Sequence, residues 1–251
     1  MTQTSQTRPK FRPLTGTALK WLACLSMLVD HFGASCLEAG LLLNPTRLAA
    51  SGLNPDQVYA LDLALRMFGR LAFPIYCFLL VEGFLHTHSV YNYGKRLFFF
   101  ALISEIPFDW AFYRTPFYWA HQNVYWTLFL GVAGMEFLRR YGPEGPAPSH
   151  WKGLAGAAFC LLAAGLFQTD YSMTGVTLIL VLYAMRQSRL AQCVTGAAMM
   201  AYELTGPLAF VPVWFYNGQR GRCPAWLSRV FYLFYPVHIL ILGCVTNLLL
   251  G

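Results

Sequence analysis

Long apolar blocks, each interrupted by only one or two ionisable residues, are the feature that this chain's fold must accommodate. A bilayer span needs about 20 mostly apolar residues. Blocks of that kind recur near 18–42, 65–87, 96–113, 122–140, 151–168, 171–187, 190–204, 206–217 and 228–250. Backbone groups in lipid must be satisfied within the chain, so blocks of this length read as helices. The seventh and eighth are short, and Gly206-Pro207 separates them. They read as two spans or as one re-entrant pair. The expected fold is all-α, a polytopic membrane bundle of eight to nine transmembrane helices.

Charge placement supports this. Only 12% of residues are charged and 57% are apolar, against roughly 25% charged in soluble domains. The net charge of +7 raises the question of nucleic acid, but the basic residues sit between the apolar blocks, as the positive-inside rule requires. Arg8, Lys10, Arg12, Lys20, Lys95, Arg96, Arg139, Arg140, Lys152, Arg186, Arg189, Arg220, Arg222 and Arg229 all fall on one side if the N-terminus is cytoplasmic. Residues 44–60 then face outward and the 142–148 loop faces the cytoplasm. Asp30 and His31 interrupt the first apolar block where a signal peptide is featureless, so it reads as a retained span. Residues 1–17 read as a cytoplasmic tail and 18–251 as one membrane domain. Seven cysteines without a CxxC pair read as small buried apolar residues rather than a disulfide frame or a metal site.

Ionisable residues inside spans are expensive and point to function by default. Lys20 and His31 are eleven residues apart, which leaves them about 20° apart around a helix and roughly 16 Å apart along it. Both therefore lie on one face. Asp30 points about 100° away from His31, so it is placed to orient another span or to hold Arg66 or Arg70. Those two arginines are one turn apart, near Pro74, and snorkelling to headgroups is the plain alternative. Glu82 and His86 are four apart and fit a local pair. Glu105 and Asp109, around Pro107, fit structural partners for the arginines. His238 follows Tyr235-Pro236, and Asp170-Tyr171 joins two spans.

Six segments carry a resemblance. LKWLACLSMLVDHFG (19–33), GRLAFPIYCFLLVEGF (69–84), ALISEIPFDWAF (101–112), DYSMTG (170–175), YNGQRG (216–221) and FYLFYPVHILIL (231–242) are similar to the TraX family, in order from first span to last. The resemblance implies a multi-pass protein of the bacterial inner membrane. It also implies acetylation of a pilin N-terminus from acetyl-CoA, within a wider group of membrane acyltransferases that includes polysaccharide O-acetylases. That group carries Arg or Lys, ten residues and then His on its first span, which Lys20 and His31 match. Its basic pair after the second span resembles Lys95-Arg96.

The implied roles follow from chemistry. Histidine, with an ordinary pKa of about 6.5, suits a general base. His31 is the expected base, Asp109 a candidate to orient it, Asp30 a holder of arginine and Arg70 an oxyanion donor. Lys20, Lys95, Arg96, Arg220 and Arg222 are the expected contacts for the phosphates of acyl-CoA. Arg66, Glu82, Glu105, Asp170, Tyr171 and His238 are expected around the acceptor or behind the catalytic groups. No metal is expected. Partners are membrane lipid, acyl-CoA and a protein or glycan acceptor, with no nucleic acid. The competing expectation is an ion- or proton-coupled transporter using the same intramembrane groups.

Overall fold

The computed structural model describes residues 12–249; Arg8 and Lys10 of the expected tail lie outside them. The chain is helical, with two isolated β-bridges and no β-strand among the described residues. Among the described residues, three helical stretches are long and apolar enough to cross a bilayer: Gly16–Leu42, Pro55–His86 and Trp226–Asn247.

Helix α1 runs Gly16–Phe32, with Thr15 as its N-cap, and continues as a π-helix through Leu42. Two helix starts follow within 44–60. Asn44 and Asn54 each cap a helix whose first residue is proline, giving α2 (Pro45–Ser51) and α3 (Pro55–Gly69). Asparagine followed by proline is a strong helix start, because the cap accepts an orphan N–H and proline lacks one. The polar first half of α3, with Asp56, Gln57 and Asp62, conceals it from a hydropathy reading. Helix α4 (Ala72–His86) begins after a break at Arg70-Leu71. Pro74 explains the break: in a continuous helix its ring would meet the Arg70 carbonyl, whereas in the first turn of α4 its missing N–H costs nothing. The break falls just beyond the arginines: the Arg70 amide still donates to the Arg66 carbonyl at 3.1 Å, so the two remain one turn apart on one face. Arg66 belongs to α3 and Arg70 ends it.

The remaining helices are α5 (Val90–Tyr113), α6 (Val124–Tyr141), α7 (His150–Leu166), α8 (Ser172–Ala184), α9 (Arg189–Met199), α10 (Phe210–Trp214) and α11 (Ala225–Cys244). The expected seventh and eighth spans are α9, two 3₁₀ turns and α10, none of them long enough to cross.

Helix α1 packs on α3 and α4, α5 packs on α11, and α6 packs on α5, α7 and α8. Phe78, Ile75, Leu19, Met135, Ile179 and Ile239 are fully buried between them. Close approach of α6 and α7 depends on Gly156, where a Cβ would lie 2.3 Å from the Phe137 ring; small residues serve this purpose at membrane helix interfaces. Pro236 lies within α11 and cannot donate to the Tyr232 carbonyl. The Tyr125 hydroxyl donates to that carbonyl instead, at 3.0 Å. The proline site on α11 is thus tied to α6.

Candidate functional site

One cavity of about 1140 Å³ runs between α1, α4, α5, α6 and α11. Its walls include Gly16 and Leu43, the two ends of the first helical stretch. At 1.5 Å per residue or slightly less, the cavity extends on the order of 35–40 Å, enough to cross the hydrocarbon layer. Lys20 and His31 both line it, as their spacing on one helix face predicts.

At the Lys20 end the cations lack carboxylates. Lys20, Arg96, Arg220 and Arg229 line the cavity, and none of the four forms a salt bridge among the described residues. Lys20 and Arg220 act on each other, the carboxylate Glu82 in the same lining is taken by Arg189, and the remaining contacts are aromatic or neutral. Lys20 Nζ sits 5.6 Å from the Phe231 ring, and Arg96 sits over Tyr93 and Tyr232 at 5.6 and 6.0 Å. Arg220 donates to the Ser228 hydroxyl at 3.1 Å. The loop that carries Arg220 is fastened to the start of α1. The Thr17 amide and hydroxyl both donate to the Arg220 carbonyl, at 2.9 and 2.8 Å. Arg229 was not singled out from the sequence. Lys95 and Arg222, which were, lie outside the cavity lining; Lys95 is over the exposed Tyr91 ring.

At the far end the arginines are paired. Arg66 donates to Asp30 at 2.7 Å, and its Nε lies 3.9 Å from Glu38. Arg70 Nε lies 2.8 Å from Glu203. Both arginines thus have carboxylate partners within the protein. Gly69 permits the first pair, since a Cβ there would lie 2.2 Å from the Asp30 Cβ. Asp170 and Tyr171 enter the cavity from the turn before α8. Gln168, Tyr171 and Ser172 there hold positive φ of 51°, 60° and 43°, sparsely populated for non-glycine residues and frequent at functional sites. The Phe73 and Tyr171 rings stack at 3.6 Å. Desolvation pushes the Asp170 carboxyl up to about 6, against the pull of Arg70 and Arg66. Desolvation also lowers the pKa of His121, whose Nε2 lies 4.0 Å from Asp170, and the nearby Asp109 opposes this.

Between the two ends sit the histidines. His238 Nδ1 lies 2.6 Å from the Phe234 carbonyl, one turn back on α11. A carbonyl only accepts, so Nδ1 carries the proton and His238 Nε2 is an acceptor. His31 Nδ1 lies 2.7 Å from that Nε2 and is therefore the donor. The rings are 3° from parallel with centroids 5.0 Å apart. One hydrogen bond and two ring radii account for that distance, so the rings meet edge to edge in one plane. The network leaves His31 Nε2 with a free lone pair. Phe112 and Tyr235 flank the His31 ring edge-on at 5.7 and 5.9 Å.

The partner that orients His31 is thus a second histidine. Asp109, the candidate for that task, instead accepts from the Tyr118 amide at 2.8 Å. Glu105 stands outside the cavity lining. It accepts from the Asn123 amide and side chain and from the Trp126 indole, at 3.2, 2.8 and 2.6 Å, clamping the start of α6 to α5. Glu82 lines the cavity and pairs with Arg189 at 3.4 Å; His86 bonds only the Glu82 carbonyl, at 2.8 Å.

A model of the TraX protein family matches residues 15–246. A relative, the probable fimbrial assembly protein FimC of serogroup H1 from Dichelobacter nodosus, is 30% identical over 207 residues, covering 71% of this chain and 81% of its own. No solved structure matches the chain.

Proposed function

The chain belongs to the TraX family, and from that premise we propose that it is an integral-membrane acyltransferase. It moves an acetyl or short acyl group from cytoplasmic acyl-CoA to an amine or hydroxyl acceptor at the opposite face of the bacterial inner membrane. In this reading the N-terminus is cytoplasmic, and the helices beyond the three long apolar stretches complete eight or nine spans. The relative's name, a fimbrial assembly protein, supports a pilus or fimbrial subunit as acceptor, with a surface glycan as the other class.

The observation that carries the proposal is the charge asymmetry of one continuous cavity. Four cations without carboxylates gather at one end, while the arginines at the other are neutralised by Asp30, Glu38 and Glu203. Unpaired cations around a cleft suit a polyphosphate ligand. Lys20, Arg96, Arg220 and Arg229 would hold the phosphates of CoA, and the arm would lie along α1 toward His31. The thioester supplies an acyl group already activated for transfer. His31 Nε2 takes the proton of the acceptor, and the hydrogen bond to His238 holds the required tautomer. The acceptor arrives past Asp170, Tyr171 and the Arg66–Asp30 pair. The aromatic walls exclude water that would hydrolyse the thioester.

The test is incubation of the purified protein in liposomes with labelled acetyl-CoA and candidate pilin peptides or glycans. Transfer of label supports the reading. Proton-coupled flux without acyl-CoA, and no label transferred, would favour the transporter instead.

A further inference from the structure

We propose that the Tyr235 hydroxyl is the catalytic donor to the carbonyl oxygen of the acyl group. This rests on the acyl-transfer reading above and gives Tyr235 the role that the sequence assigned to Arg70. Arg70 is engaged elsewhere, with Nε 2.8 Å from Glu203 and a side-chain hydrogen bond with Tyr171. Two other hydroxyls nearby are committed too. Tyr76 is bonded to the Cys24 thiol at 2.9 Å, and Tyr125 donates to the Tyr232 carbonyl at 3.0 Å.

Tyr235 differs from them. Its side chain lines the cavity and is only 3% exposed. Its hydroxyl is buried without an acceptor. The backbone group facing its oxygen is the Val124 amide, in the first turn of α6. That amide is itself a donor, so it leaves the phenolic proton free. A buried hydroxyl without an acceptor costs stability, and such costs persist where a ligand completes the bond. The ring lies 5.9 Å from both the His31 and His238 rings, edge-on to each, and Tyr125 packs against its edge at 5.2 Å. Tyr235 and His31 thus line the same cavity with their rings in contact.

The step balances. The acceptor N–H or O–H proton goes to His31 Nε2, and the acceptor lone pair forms a bond to the carbonyl carbon. The displaced π pair moves to oxygen, where the Tyr235 O–H donates to it. As that pair returns, the C–S bond breaks with its electrons on sulfur, and the proton on His31 passes to the thiolate.

The experiment compares wild type with Tyr235→Phe as full-length protein in liposomes, using labelled acetyl-CoA with a free-amine peptide and a sugar acceptor. An oxyanion donor is worth about 10²–10³ in kcat. The expected result is a kcat at least about tenfold lower, KM for acetyl-CoA unchanged and Tm equal or higher, since an orphan hydroxyl has been removed. In isotope-edited infrared spectra, the carbonyl stretch of bound ¹³C-acetyl-CoA is expected to rise in Tyr235→Phe. Activity within threefold of wild type, or a lowered Tm, overturns the assignment and leaves acyl transfer standing. A wild type that binds no acetyl-CoA overturns both.

Discussion

His31 and His238, 207 residues apart in sequence, share one hydrogen bond of 2.7 Å in a common ring plane. The Phe234 carbonyl fixes the proton on the far nitrogen of His238, so a backbone group on α11 sets the tautomer of a side chain on α1. Replacing His238 by Ala is expected to slow acyl transfer while sparing acetyl-CoA binding. The loss should be smaller than the roughly 10²–10⁴-fold expected for a missing base. Equal rates in wild type and variant would separate His238 from the reaction.

The mouth cations give a paired comparison. Lys20→Ala, Arg96→Ala and Arg220→Ala are each expected to raise KM for acetyl-CoA about tenfold or more, from a charge-assisted contact of about 1.5–3 kcal/mol. Lys95→Ala and Arg222→Ala, which lie outside the cavity lining, are expected to leave KM near wild type. Binding isotherms for the five proteins decide between a phosphate site and a purely topological use of charge.

Much of this arrangement was readable from the sequence, and the remainder depends on contacts that a sequence does not display. Helical periodicity placed Lys20 and His31 on one face, and the same geometry turned Asp30 toward an arginine, which proves to be Arg66. The His31–His238 bond was not readable, because nothing in the sequence brings α11 against α1. Glu105 looked like a partner for arginine, yet its ligands are Asn123 and Trp126, from a helix start whose position the sequence leaves open. Helix α3 was legible in principle, since Asn54-Pro55 is a start signal that the hydropathy reading passed over.

The Asp30–Arg66 pair predicts a stability pattern. Side-chain exposures of 16% and 24% place it among partly buried pairs, so removing one partner is expected to cost up to about 3–5 kcal/mol. The double variant Asp30→Asn with Arg66→Gln should cost less than the sum of the singles. Gly69→Ala is expected to destabilise despite alanine's better helix propensity, because its Cβ would overlap Asp30. Denaturation in one detergent tests all four, and additive costs would deny the pairing.

Asp170 gives a pH dependence. Its carboxyl is raised from 3.8 to about 6 by desolvation, so the folded state holds that proton more tightly than the unfolded chain. Its contribution to stability is therefore fully present below about pH 4 and is lost as pH rises through about 6. Asp170→Asn is expected to flatten this part of the stability–pH curve. A wild type and variant with parallel curves from pH 4 to 7 would remove Asp170 as its source.

The central claim is that His31 is the base for acyl transfer within a cavity that crosses the membrane. The most direct measurement is single-turnover transfer of label from bound acetyl-CoA in wild type and His31→Ala, with binding measured in the same preparations. The account predicts a folded His31→Ala protein that binds acetyl-CoA as wild type does and transfers acyl groups at least about 100-fold more slowly. Transfer at near wild-type rate by a folded His31→Ala protein would contradict it.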